Sequence, residues 1–112
     1  MAIQEKSMGQ TRPNSTTATS LYTPAATVTA AIIKTIVIAN VTNLTAAFSL
    51  FFDDNGTTYD ETTAFAWKVL IEGNTTVQFD GYYAMSDPAG NVAVQTDSAN
   101  YLNFTAWGAE IS

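Results

Sequence analysis

Residues 48–74 read FSLFFDDNGTTYDETTAFAWKVLIEGN, and this stretch decides the fold. Side chains of an extended chain alternate between two faces, so Phe48, Leu50 and Phe52 fall on one side. Asp54-Asn55-Gly56 follows. Asn-Gly accepts the positive φ angles of a two-residue hairpin turn and is the strongest short-range signal for one. The return segment keeps the period of two, with Phe65, Trp67, Val69 and Ile71 opposite Ala66, Lys68, Leu70 and Glu72. Gly73-Asn74 supplies the next turn. Two alternating segments around a turn predict an antiparallel pair with one buried face.

Working outward, the same grammar repeats. Val28 to Asn40 (VTAAIIKTIVIAN) is rich in β-branched residues, with Ile32, Lys34, Ile36 and Ile38 on one side and Ile33, Thr35 and Val37 on the other. Apolar residues on both sides predict a central strand, or one whose second side meets another subunit. Leu21-Tyr22 before Thr23-Pro24 predicts a short edge strand, since proline cannot join a ladder. Thr75 to Asp80 points Val77 and Phe79 inward, Gly81 breaks the run, and Tyr82 to Met85 is a further short strand. A turn at Asp87-Pro88-Ala89-Gly90-Asn91 precedes Val92, Val94 and Thr96. The last strand runs from Tyr101 to Ile111, with Leu102, Phe104 and Ala106 on one side and Asn103, Thr105 and Trp107 on the other. Seven or eight short strands without a sustained helical period predict an all-β, antiparallel β-sandwich of jelly-roll or immunoglobulin-like type over residues 20–112. The expected core is Phe48, Leu50, Phe52, Trp67, Val69, Val77, Phe79, Val94, Leu102 and Phe104. Residues 1–19 are polar and aperiodic, and predict an extended N-terminal arm that is disordered alone and orders on a partner.

Composition narrows the function classes. The chain has 112 residues, one domain's worth, and only 12% of them are charged, about half the usual share. Either Thr, Ser and Asn carry solubility, or neighbours cover much of the surface. The net charge of −6 is unevenly spread. The arm holds Lys6 and Arg12 against Glu5, whereas the body holds Lys34 and Lys68 against nine carboxylates. Nucleic-acid binding needs clustered cations, so no nucleic-acid partner is expected. MAIQEKSMGQ contains no apolar run of the signal-peptide kind, and the apolar stretch from Ala30 to Val41 is too short to span a bilayer, so no membrane partner is expected either.

With no cysteine and no histidine, the usual thiolate and imidazole chemistries are absent. The one carboxylate cluster, Asp53, Asp54, Asp60 and Glu61, flanks the Asn55-Gly56 turn, and its spacing fails the EF-hand pattern. Asp80, Asp87 and Asp97 fall at turns or strand ends, where Asp is common for conformational reasons. The expectation is a protein that is not an enzyme, with no cofactor and no metal. Trp107, on the polar side of the last strand, is the better surface or interface aromatic, and Trp67 reads as core.

The segments SLYTPAATVTAAIIKTIVIAN, FSLFFDDNGTTYDETTAF, GNTTVQFDGYYAMSDPAGNVAVQTD and NYLNFTAWG resemble small virion proteins of tailed phages. The shared features are a Leu-Tyr-Thr-Pro strand, an Ile/Val-rich strand ending in Asn, an Asp-Asp-x-Gly-Thr-Thr-Tyr-Asp hairpin and a late Gly-Asn-Val-x-Val strand, over about residues 20–108. The resemblance implies a capsid decoration (cement) protein, or a related head or tail accessory protein, on the outer surface of the virion. It implies a homo-oligomer, often a trimer, bound to the major capsid protein lattice. Expected contact residues are Ile3, Lys6, Met8 and Arg12 on the arm, and Ile33, Val37 and Trp107 on the body. The alternative is a receptor- or glycan-binding sandwich of a head or tail fibre.

Overall fold

The computed structural model describes residues 2–86 and 89–112. Eight strands follow one another: β1 (Ile3–Thr11), β2 (Thr19–Tyr22), β3 (Ala30–Asn40), β4 (Ala46–Asp53), β5 (Ala64–Ile71), β6 (Thr76–Met85), β7 (Asn91–Thr96) and β8 (Leu102–Ile111). They form two four-stranded antiparallel sheets, β1-β8-β3-β6 and β2-β7-β4-β5. Strand 1 pairs with 8, 2 with 7, 3 with 6 and 4 with 5. One long hairpin, folded at the β4–β5 connection and rolled up, gives this pairing. It is jelly-roll connectivity, which resolves the two sandwich types left open by the strand pattern. The turn expected at 87–91 lies partly outside the described residues.

The interior is filled from both sheets. Ile33, Ile36 and Ile38 of β3 and Leu102, Phe104 and Ala106 of β8 meet Phe48 and Leu50 of β4 and Val92 and Val94 of β7. Phe48 sits edge-on to both Phe79, at 5.9 Å between ring centres, and Phe104, at 6.3 Å. Each large side chain so buried contributes about 1.5–3 kcal/mol of transfer free energy. The central position expected for β3 holds, since it lies between β8 and β6, and β2 is an edge strand ended by the approach to Pro24.

Four expectations fail, each for a definable reason. First, Ile3–Thr11 is not a free arm. It is β1, paired with β8 from Ile3↔Ile111 to Thr11↔Phe104. As an edge strand it is held mainly by backbone hydrogen bonds, so its side chains carry almost no apolar pattern; Met8 alone is buried. Second, β3 does not alternate strictly. Against β8 the register shifts between Ile33 and Thr35, so Lys34 is an extra residue there, and Ile33, Ile36 and Ile38 all face inward. Third, Trp67 is 43% exposed, not core. Lys68 has φ 51°, and this irregularity turns Trp67 outward while Val69 and Ile71 still face the core. Fourth, the β4–β5 connection is longer than a two-residue Asn55-Gly56 turn. It runs through residues 54–63, and neither Asn55 nor Gly56 takes positive φ. The break expected at Gly81 is present only as a register irregularity: β6 is continuous from Thr76 to Met85, but its pairing with β3 passes from Asp80 to Tyr83.

Candidate functional site

The outer face of the first sheet carries a groove at the point where its strands are irregular. β1 shifts register between Ser7 and Gly9, and β3 between Ile33 and Thr35. The two irregularities lie on either side of β8 at Trp107, whose register partners are Ser7 and Thr35. Gly108, next in the chain, must be glycine: a Cβ there would lie 1.9 Å from the Ile32 carbonyl oxygen. The result is a shallow, open depression of about 420 Å³ lined by Glu5, Lys6, Ser7, Lys34, Thr35, Trp107 and Gly108.

Its charges are paired. Lys34 Nζ donates to Glu5 Oε1 at 3.0 Å, and Lys6 Nζ donates to Glu110 Oε1 at 3.1 Å. Glu110 also accepts a 2.5 Å hydrogen bond from the Tyr22 hydroxyl, which ties the first sheet to β2 of the second. The Tyr22 bond, helped by Lys6 and opposed by partial burial, lowers the Glu110 pKa below its ordinary value. Burial, then the bond to Glu110 and its charge, raise that of Tyr22. Beyond Trp107 the same row continues across β3 to β6, where Thr35 Oγ1 donates to Asp80 Oδ1 at 3.2 Å and Gln78 Nε2 donates to the same oxygen at 3.0 Å.

The outer face of the second sheet is different. Phe51 is fully buried there, outside the main core, packed on Tyr59 and edge-on to Trp67. The 54–63 connection supplies Tyr59, and Asp53 organises its start. Asp53 Oδ1 accepts from the Asn55 amide and Oδ2 from the Thr58 amide. These backbone donors, Thr58 first, lower the Asp53 pKa. Asp60 is similarly occupied by the Thr62 hydroxyl and amide, which lower its pKa. Asp53 and Asp60 of the acidic cluster therefore use their oxygens to shape a loop. Among the described residues, no three acidic side chains converge as a metal-binding group.

On the edge strand β5, Leu70 is 73% exposed beside the exposed Trp67. At the end of this strand the 41–45 connection carries Val41 and Leu44, also exposed. Buried Asn40 fixes that connection: its Nδ2 donates to the carbonyls of Leu44 and Ile71, and its Oδ1 accepts from the amide and hydroxyl of Thr42. Apolar side chains thus continue from the edge of the second sheet around one end of the sandwich.

Of the residues singled out in the sequence, Lys6 and Trp107 meet at the groove. Val37 is half-buried on the same face, Ile3 is 66% exposed at the start of β1, and Arg12 is exposed just beyond its end. Met8 and Ile33 are corrected: both are buried in the core of this chain, because the irregularities in β1 and β3 turn them inward. Sequence reasoning missed Glu5, Ser7, Lys34 and Thr35 at the groove. The one available signal was Lys34, a cation inside an otherwise apolar strand, which marks the bulge. Comparison with known protein families and with curated proteins finds no match.

Proposed function

We propose that this chain is a phage capsid decoration (cement) protein, which binds and stabilises the major capsid protein lattice from the outside and works as a homo-oligomer, a trimer in the simplest case. The observation that carries the reading is the apolar margin of the second sheet, Trp67 and Leu70 with Val41 and Leu44 at the adjoining end. A chain with 12% charged residues that also leaves these side chains in water has surface to be covered by protein. The sequence resemblance to small tailed-phage virion proteins supports a capsid lattice as the covering partner. Attachment through apolar burial adds contact area between capsomers, and this is how a bound protein stabilises a shell by mass action.

The test mixes the purified chain with capsids of the source particle that lack it. Binding in sedimentation, with a rise in the melting temperature of the shell, is the expected result. Leu70→Asp and Leu44→Asp should abolish binding while leaving the circular dichroism spectrum unchanged. Failure to bind, or full binding by both variants, overturns the reading. Light scattering of the free protein checks the trimer.

A further inference from the structure

We propose that the groove over Trp107 is a binding site for a neutral saccharide. The inference does not rest on the capsid reading, because the groove lies on the outer face of the first sheet and the apolar margin belongs to the second.

Trp107 lies in the middle of the groove, between the contributions of β1 and β3. It stands on β8, an interior strand, and is 43% exposed. Trp67 has the same exposure but an evident structural task, since it packs on Phe51 at 6.2 Å and lies under the Lys68 ammonium at 5.2 Å. Trp107 has no aromatic partner among the described residues. Its register neighbours are the small Ser7 and Thr35, and 43% of the residue stays open to solvent beside Lys6 and Lys34. An indole presented this way offers an apolar, electron-rich face to the C–H groups of a pyranose ring, with a donor at its edge. Paired irregularities in neighbouring strands are a recurrent means of aiming side chains at a site.

The polar groups select the charge of the ligand. Lys34 is committed to Glu5 and Lys6 to Glu110, so the four charges in and beneath the groove cancel. A phosphate, sulfate or sialic acid would find no uncommitted cation, and would also approach a chain of net charge −6. Vicinal hydroxyls suit the same pair well. One hydroxyl accepts from the Lys34 ammonium while its neighbour donates to the Glu5 carboxylate, and the Ser7 and Thr35 hydroxyls extend the ring of partners. The volume of about 420 Å³ falls within the ordinary range for small-ligand sites, about 300–1,000 Å³.

The experiment titrates the full chain with neutral trisaccharides of glucose, galactose and mannose, and with sialyllactose as the anionic control. Saturation-transfer NMR and tryptophan fluorescence report binding. At least one neutral sugar should bind saturably. Trp107→Ala should weaken that binding at least tenfold and Glu5→Gln several-fold, with melting curves showing both variants folded. Glu5 is an exposed residue on an edge strand, so its variant keeps the test alive if the tryptophan variant is unstable. No saturable binding of any neutral sugar, preference for sialyllactose, or binding indifferent to both substitutions overturns the proposal.

Discussion

Glu110 joins three strands through one carboxylate: β8 supplies it, β1 supplies Lys6, and β2 supplies the Tyr22 hydroxyl from the opposite sheet. A lowered pKa means that the unfolded chain binds more protons than the folded one at acid pH. The Glu110 contribution is therefore complete above the ordinary carboxylate range, about 4, and is lost as pH falls through the lower folded value. Tyr22 behaves in the opposite sense. Its raised pKa gives stability that is complete below the ordinary tyrosine value, about 10, and is lost as pH rises beyond it toward the folded value. Melting temperature should show a plateau between these limits. Tyr22→Phe removes the hydroxyl from a charged acceptor and should cost about 1.5 kcal/mol on the plateau. In a pH series of thermal melts, it should also weaken acid destabilisation from Glu110 and soften the alkaline decline.

Among the elements, β1 changes most between its sequence and its role. Its residues look like a tail, yet its backbone completes the first sheet, and Ala2 and Ser112 extend the ladder by exchanging two hydrogen bonds at 2.8 and 2.9 Å. Removing residues 1–12 would expose the far edge of β8, open a hole where Met8 sits and strip Glu110 of Lys6. Loss of a buried methionine side chain alone costs about 2–5 kcal/mol. The truncated chain should therefore unfold at markedly lower urea concentration than the whole chain, or fail to accumulate as folded protein. A truncated chain as stable as the whole would show that β1 is docked only loosely. The two bulges are also features of elements. Lys34 and the Ser7–Gly9 irregularity flank Trp107 from either side, so the groove exists only because neighbouring strands depart from regular register together.

At the scale of the molecule, the rolled hairpin makes most pairings non-local. β1 must find β8 and β2 must find β7 before either sheet has its full ladder. Closing such long loops costs entropy before contacts repay it, so refolding should be slow for a chain of this length, in the range of about milliseconds to seconds. Stopped-flow refolding by tryptophan fluorescence checks this; relaxation in tens of microseconds would contradict it. The same rolling gives the two outer faces different chemical character. One sheet presents a polar groove around Trp107, and the other an apolar margin around Trp67 and Leu70.

The sequence by itself determined the all-β class, the sandwich, nearly every strand and part of the core. Alternation is a local property: Phe48, Leu50, Val94, Leu102 and Phe104 announce their shared side through a period of two that needs no knowledge of partners. It also placed Trp107 at the surface, because that residue falls on the polar side of an alternating strand, though Trp67 and Tyr82 are exposed as well. Tertiary structure decided the rest. Whether residues 3–11 pair with β8 depends on backbone groups that every sequence possesses, so composition cannot reveal it. The inward turn of Ile33 and Met8 and the outward turn of Trp67 each follow from a local irregularity that shifts alternation by one residue. The groove combines side chains from β1, β3 and β8, strands that are distant in the chain and adjacent only after the hairpin has rolled.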